Sequence, residues 1–139
     1  MKNIKVLVVD TDEMLLEFCR AGLEVKRYKV VTARNIDFAM ESYIHEHPSI
    51  LVVEMELPNH GSHTLFEFVR NHDSGRYLPF IFTCSEPTYE ALKNRPALEE
   101  DPLVKPFLID KLDFTIRSKI KRFGEIMDQL QRDNLLDNA

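Results

Sequence analysis

The sequence predicts an α/β fold: a doubly wound five-stranded parallel sheet in the order 2-1-3-4-5, flanked by five helices, the last of them extended. Three observations lead there. Short aliphatic runs recur at 4–9, 28–33, 49–53 and 79–84, with a weaker one at 102–104, and runs of this length rich in Val and Ile suit parallel strands covered on both faces. Segments with helical spacing separate them. The connections are short, and right-handed crossovers leave few topologies open.

Taken in order, "IKVLVV" is the first strand, and residues 12–26 follow as a helix whose stripe is Leu15, Phe18, Cys19, Gly22 and Leu23. "YKVVTA" is the second strand, and residues 35–46 form a helix through Ile36, Phe38, Ala39, Tyr43 and Ile44. "SILVV" is the third strand; "SHTLFEFVRNH" then supplies a helix through Leu65, Phe66 and Val69, with Ser62 in position to cap it. After the fourth strand, "PFIFTC", the stretch "EPTYEALKNRPALEED" is expected to hold a short helix, since Pro87 is tolerated in a first turn and Pro96 must interrupt or end it. "PLV" is a weak fifth strand at the sheet edge, where Pro102 does little harm.

From residue 112 the pattern changes. Ile116, Ile120, Phe123, Met127 and Leu130 are spaced four, three, four, three, with Asn134 next in line, a heptad seam with an Asn where register is often set. Ile116 and Ile120 are assigned to covering the sheet. The domain is expected over residues 1–122, with 123–139 a helical extension for which a coiled-coil linker to a further domain, a dimerisation element and a frayed tail all stay open. The chain stops at "NLLDNA" without a helix stop signal, as a segment continuing beyond it would.

Composition excludes several classes of function. A formal net charge of −5 and a pI near 5.5 argue against a general nucleic-acid surface, and "KIKRF" is too short a basic cluster to overturn that. Cys19 and Cys84 show no CxxC spacing, and Asp10 interrupts the N-terminal apolar run where a signal peptide would continue, so a reduced cytoplasmic protein is expected. No apolar run approaches the roughly 20 residues of a membrane helix. His45-x-His47 and His60-x-x-His63 lack a third-ligand framework and read as solvated surface. With four glycines, and neither GxGxxG nor GxxxxGK[ST], a nucleotide-binding reading has little to stand on.

In an open parallel sheet, functional groups gather beyond the carboxyl ends of the strands where the winding reverses. The first strand ends in "DTDE" and the third in "EMELP", so Asp10, Asp12, Glu54 and Glu56 are expected to converge. Carboxylates this close repel unless a cation intervenes, and Lys105, just past the fifth strand, is the candidate. Asp12 also suits an N-cap of the first helix, so both roles stay open.

The strings "VLVVDTDE", "ILVVEMELP", "LPFIFTCSE" and "LVKPF", in this order and spacing, resemble the response-regulator receiver domain of bacterial phosphorelay signalling, a flavodoxin-like fold. The resemblance covers residues 4 to 120. It implies an acceptor aspartate at the end of strand three that takes a phosphoryl group from a histidine kinase. It also implies paired acids holding Mg²⁺, a hydroxyl residue and a lysine that contact the phosphoryl oxygens, and a switching aromatic on strand five.

The chain departs from that pattern at each of these groups except the lysine. The acceptor position is Glu54; its extra methylene moves the carboxylate by roughly 1.5 Å, and a displacement on the order of 1 Å costs about a hundredfold in an in-line transfer. Thr11 replaces the second paired acid, so at best a weak Mg²⁺ site of Asp10, Glu54 and Glu56, helped by Asp12, is expected. The hydroxyl position falls on Cys84, with Thr83 and Ser85 on either side, and a thiol is a weak donor. Pro102 stands where the aromatic belongs. Lys105-Pro106 is retained, for which the resemblance implies a cis peptide, and Lys105 is expected to pair with Glu54. The expected function is therefore that of an atypical, non-enzymatic receiver. It would act as a protein-interaction module with a histidine kinase or an output domain as partner, and with a homodimer through helix five and its extension. The alternative is a working Mg²⁺-dependent phosphoacceptor controlling an output domain such as a diguanylate cyclase.

Overall fold

A computed structural model describes residues 3–93 and 102–137, with side chains as far as Asn134. The parallel sheet has the order β2-β1-β3-β4-β5, formed by β1 (Lys5–Val9), β2 (Lys29–Ala33), β3 (Ile50–Glu54), β4 (Phe80–Cys84) and β5 (Leu103–Val104). Between them run α1 (Glu13–Val25), α2 (Ile36–Glu46), α3 (Gly61–Arg70) and α4 (Glu86–Leu92), and α5 (Ile109–Asp137) closes the chain. Pro87 lies in the first turn of α4 as expected; Pro96 is outside the described residues.

Strand alternation explains why the runs carry no polar interruption. Val6, Val8, Ile50, Val52, Ile81 and Leu103 point to one face and pack against α1 and α5 through Leu16, Cys19, Leu23, Leu112 and Ile116. Leu7, Val9, Leu51, Val53 and Phe80 point to the other and meet Ala39, Tyr43, Leu65 and Val69 of α2 and α3. A strand buried on both faces has no solvent side to mark.

The helices correct several sequence expectations. In α1 the buried seam is Leu16, Cys19 and Leu23, while Phe18 is half exposed and meets Phe107 edge-on at 6.4 Å. In α2 only Ala39 and Tyr43 are buried; Phe38 lies outside beneath the Arg34 guanidinium, 5.6 Å from its ring centre, and Ile44 is also exposed. Ser62 does not cap α3. The helix already begins at Gly61, after two left-handed residues, Asn59 and His60, and the Ser62 hydroxyl donates to the Met55 carbonyl at 3.1 Å, tying α3 to the loop after β3.

Helix α5 is fixed at its base to the connection between α1 and β2. Tyr28 donates to Asp113 Oδ1 at 2.5 Å, and the Lys26 ammonium meets Asp110 at 2.8 Å. Leu112 and Ile116 are fully buried and Ile120 packs at the core edge. The helix then continues unbroken to Asp137, with Phe123 and Met127 half buried and Leu130 exposed.

Candidate functional site

The same alternation that builds the core builds the site. Continuing each strand by two residues on the α1 and α5 face, Val8 leads to Asp10, Val52 to Glu54 and Leu103 to Lys105. Because β1 and β3 are neighbours in register, with Val9 beside Val53, the two acids emerge side by side. They are nearly covered, Asp10 at 2% and Glu54 at 5% exposure.

Lys105 reaches across from the edge of the sheet. Its Nζ donates to Asp10 Oδ2 at 2.7 Å and to Glu54 Oε2. Each carboxylate keeps its other oxygen for a backbone N–H two residues further on: Asp10 Oδ1 accepts from Asp12 N at 2.8 Å, and Glu54 Oε1 from Glu56 N at 3.0 Å. The covered acids are thus charge-paired and hydrogen-bonded at once, which is the condition for keeping such groups out of water. The Lys105 backbone N–H donates to Cys84 O at 2.8 Å, and the Lys105-Pro106 peptide is cis.

The other two acids turn elsewhere. Asp12 is the N-cap of α1, accepting from Met14 N at 2.9 Å and Leu15 N at 3.4 Å. Glu56 is exposed and points to the start of α4, where its Oε1 accepts from Ser85 Oγ at 2.8 Å and from Thr88 Oγ1. Those hydroxyls, Thr88 first and Ser85 second, hold the Glu56 carboxyl below the ordinary glutamate value. The expected convergence of four acids therefore resolves into one pair, one helix cap and one carboxylate bonded to the hydroxyls at the start of α4.

Among the described residues no group of three or more His, Cys, Asp or Glu side chains is gathered as metal ligands. The Lys105 ammonium holds the position between Asp10 and Glu54, Glu56 faces away from it, and Thr11 is exposed. The arrangement fits Mg²⁺ poorly, since an octahedral ion needs several oxygens facing one point. His45, His47, His60 and His63 are all exposed.

Of the residues expected near the phosphoryl oxygens, Cys84 is fully buried, and burial, then the Glu56 charge, push its thiol up. Ser85 caps α4, accepting from Thr88 N at 3.4 Å. The register partner of Glu54 is Thr83, also buried. Cys19 faces the site from α1; burial and the Asp10 charge push its thiol up to about 12, with Lys105 opposing. Thr88 was missed from sequence, although Ser-x-x-Thr at a helix start carries the signal: a cap residue followed by a hydroxyl in the first turn.

No family model matches the chain. It is 32% identical over 120 residues to the transcriptional regulatory protein CrdR of Helicobacter pylori, covering 86% of this chain and 54% of that protein. It is 25% identical over 119 residues to the nisin biosynthesis regulatory protein NisR of Lactococcus lactis, covering 85% and 51%. The chain spans about half the length of these relatives. Among solved structures, the chemotaxis response regulator CheY4 of Vibrio cholerae superposes with a TM-score of 0.72 at 20% identity, over 84% of this chain and 98% of that one. A receiver-modulated diguanylate cyclase from Pelobacter carbinolicus gives 0.68 at 21% identity, over 90% and 98%. In sequence the chain is similar to these regulators, and in fold to the receiver domains, whose five-stranded parallel sheet and flanking helices it shares.

Proposed function

We propose that this receiver domain is not switched by phosphoryl transfer and works as a protein-interaction module held in one state by its own side chains. The observation that carries the reading is the Lys105 ammonium bridging Asp10 and Glu54. A lysine that contacts phosphoryl oxygens in the family pattern is here committed to two carboxylates of the same chain. Glu54, at the acceptor position, presents to Lys105 an anion that no kinase has to supply. Its carboxylate is displaced for in-line attack, and Mg²⁺ could enter only by competing with the ammonium, so it binds weakly. The domain performs no catalysis. Its partners are a histidine kinase or an output domain, and this segment makes no contact with nucleic acid or membrane; among the described residues no helix is long and apolar enough to cross a membrane. The module acts in the cytoplasm.

The test is intact mass after incubation with acetyl phosphate and Mg²⁺. An unchanged mass is expected. A phosphoryl increment on the wild-type chain refutes the reading and favours the alternative, a Mg²⁺-dependent acceptor controlling an output domain, for which the likeness to a receiver-modulated diguanylate cyclase is the supporting observation. Glu54→Asp that gains the increment would place the lesion at the acceptor alone; no gain points to Thr11, Cys84 or the metal site.

Residues 1–122 form the domain in this reading, and 123–139 a paired helical linker. Leu130 is 38% and Ile126 37% exposed on the stretch of α5 beyond the sheet, where a heptad seam has a second helix as its natural cover. Light scattering on the full chain and on one ending at Arg122 decides: a dimer that becomes a monomer supports the pairing, and two monomers remove it.

A further inference from the structure

Helix α4 is weakly anchored by packing. None of its seven residues is buried; Thr88, Tyr89 and Leu92 are half covered and Glu86, Pro87, Glu90 and Ala91 lie outside. A helix this short has no stability of its own. Its first turn is tied down by polar contacts, and they converge on one atom. Glu56 Oε1 accepts from Ser85 Oγ at 2.8 Å and from Thr88 Oγ1, while Ser85 Oγ also reaches Thr88 Oγ1 at 3.2 Å.

Glu56 is itself held at the site. Its N–H donates to Glu54 Oε1 at 3.0 Å, and the other Glu54 oxygen meets Lys105. A continuous line of hydrogen bonds therefore runs from the Lys105 ammonium through Glu54 and Glu56 to the first turn of α4.

We propose that Glu56 is the positioning residue of α4: its carboxylate draws the corner between β4 and α4 against the loop after β3, so the orientation of α4 is set within the chain. Glu54 and Glu56 then divide contacts like those a phosphoryl group would make in the family pattern, one meeting the lysine and the other Ser85, next to the hydroxyl position. The consequence for signalling, an α4 face permanently presented to a partner, rests on the reading above; the positioning role rests on the contacts alone. The low proton affinity of Glu56 in the fold is consistent with two hydroxyl donors acting on one carboxylate.

Hydrogen exchange on the full chain, read by mass spectrometry, tests this. In Glu56→Ala the amides of 86–92 are expected to exchange roughly five to ten times faster, about the effect of losing one net hydrogen bond, while peptides from β1 and β3 match wild type. Thr88→Val should reproduce much of the effect, and combining the two should add little, because they break the same contact. Glu56→Gln, which keeps an acceptor oxygen without the charge, should fall between. Unchanged exchange over 86–92 in Glu56→Ala overturns the proposal. So does an increase shared equally by β1 and β3, which would make Glu56 a support of the whole fold. A phosphoryl increment in the mass assay would sink the signalling consequence and leave a positive exchange result standing; unchanged exchange would leave the Lys105 pocket as described.

Discussion

Replacing Lys105 by Met keeps most of the side-chain volume and removes the charge, leaving Asp10 and Glu54 face to face with side chains only 3% and 7% exposed. Two oxygens that share one ammonium lie roughly 4–5 Å apart. At an effective dielectric near 20, unit charges at that distance repel by about 3–4 kcal/mol. The Lys105 side chain is 24% exposed, so water screens part of this, and the expected loss is about 2–3 kcal/mol, somewhat under the cost of stripping one partner from a fully buried pair. In a domain of this size that lowers Tm by about 6–12 °C. The assay is thermal and urea denaturation at neutral pH of wild type, Lys105→Met, Glu54→Gln and the double variant. Glu54→Gln in the Lys105→Met background removes the repulsion and is expected to recover at least half of the loss. If Lys105→Met melts within about 1 °C of wild type, or if the double variant is as unstable as the sum of the singles, the ammonium does not offset the acids and the argument for a self-occupied pocket fails.

Burial first, and the Asp113 hydrogen bond second, raise the Tyr28 phenol above its ordinary value; a raised folded value gives stability that is complete below the unfolded pKa of about 10 and is lost as pH climbs through the folded one. Urea melts between about pH 9 and pH 11 should show that decline, and Tyr28→Phe should flatten it at a cost of about 1 kcal/mol near neutrality. The two glycines tested by alanine should move in opposite directions in thermal melts. A Cβ at Gly75 would fall 2.2 Å from the Val69 carbonyl oxygen and costs about 2 kcal/mol or more. One at Gly124 meets nothing within 4 Å and gains about 1 kcal/mol of helix propensity. Neither cysteine should react with a thiol reagent at pH 8 before denaturation, since both are buried with thiols pushed upward and the thiolate is the reactive form; rapid labelling of the native chain would contradict the burial.

The fold was legible because strands buried on both faces write themselves as unbroken aliphatic runs, and the strand tips could be located by counting. That was enough to bring Lys105 to Glu54. Helix faces were harder to assign: on α1, Leu15 and Leu16 are adjacent and a stripe drawn through either satisfies the spacing, but only Leu16 is buried. The direction of exposed acids was not legible at all. Glu56 lies two residues from Glu54, and its partners Ser85 and Thr88 come from another loop that no local pattern connects to it. Ser62 failed as a cap for a similar reason, because a tertiary acceptor, the Met55 carbonyl, takes its hydroxyl.

The cation that closes the pocket is covalently part of the chain it acts on. A ligand that departs takes its effect with it, and an acyl phosphate decays with a half-life; Lys105 does neither. Its effective concentration at the two acids is fixed by the backbone next to β5 and does not change when protein, magnesium or phosphodonor is diluted. On the function proposed above, a module built this way keeps no time, and a cell would adjust it only through how much is made and which neighbours are there to meet it.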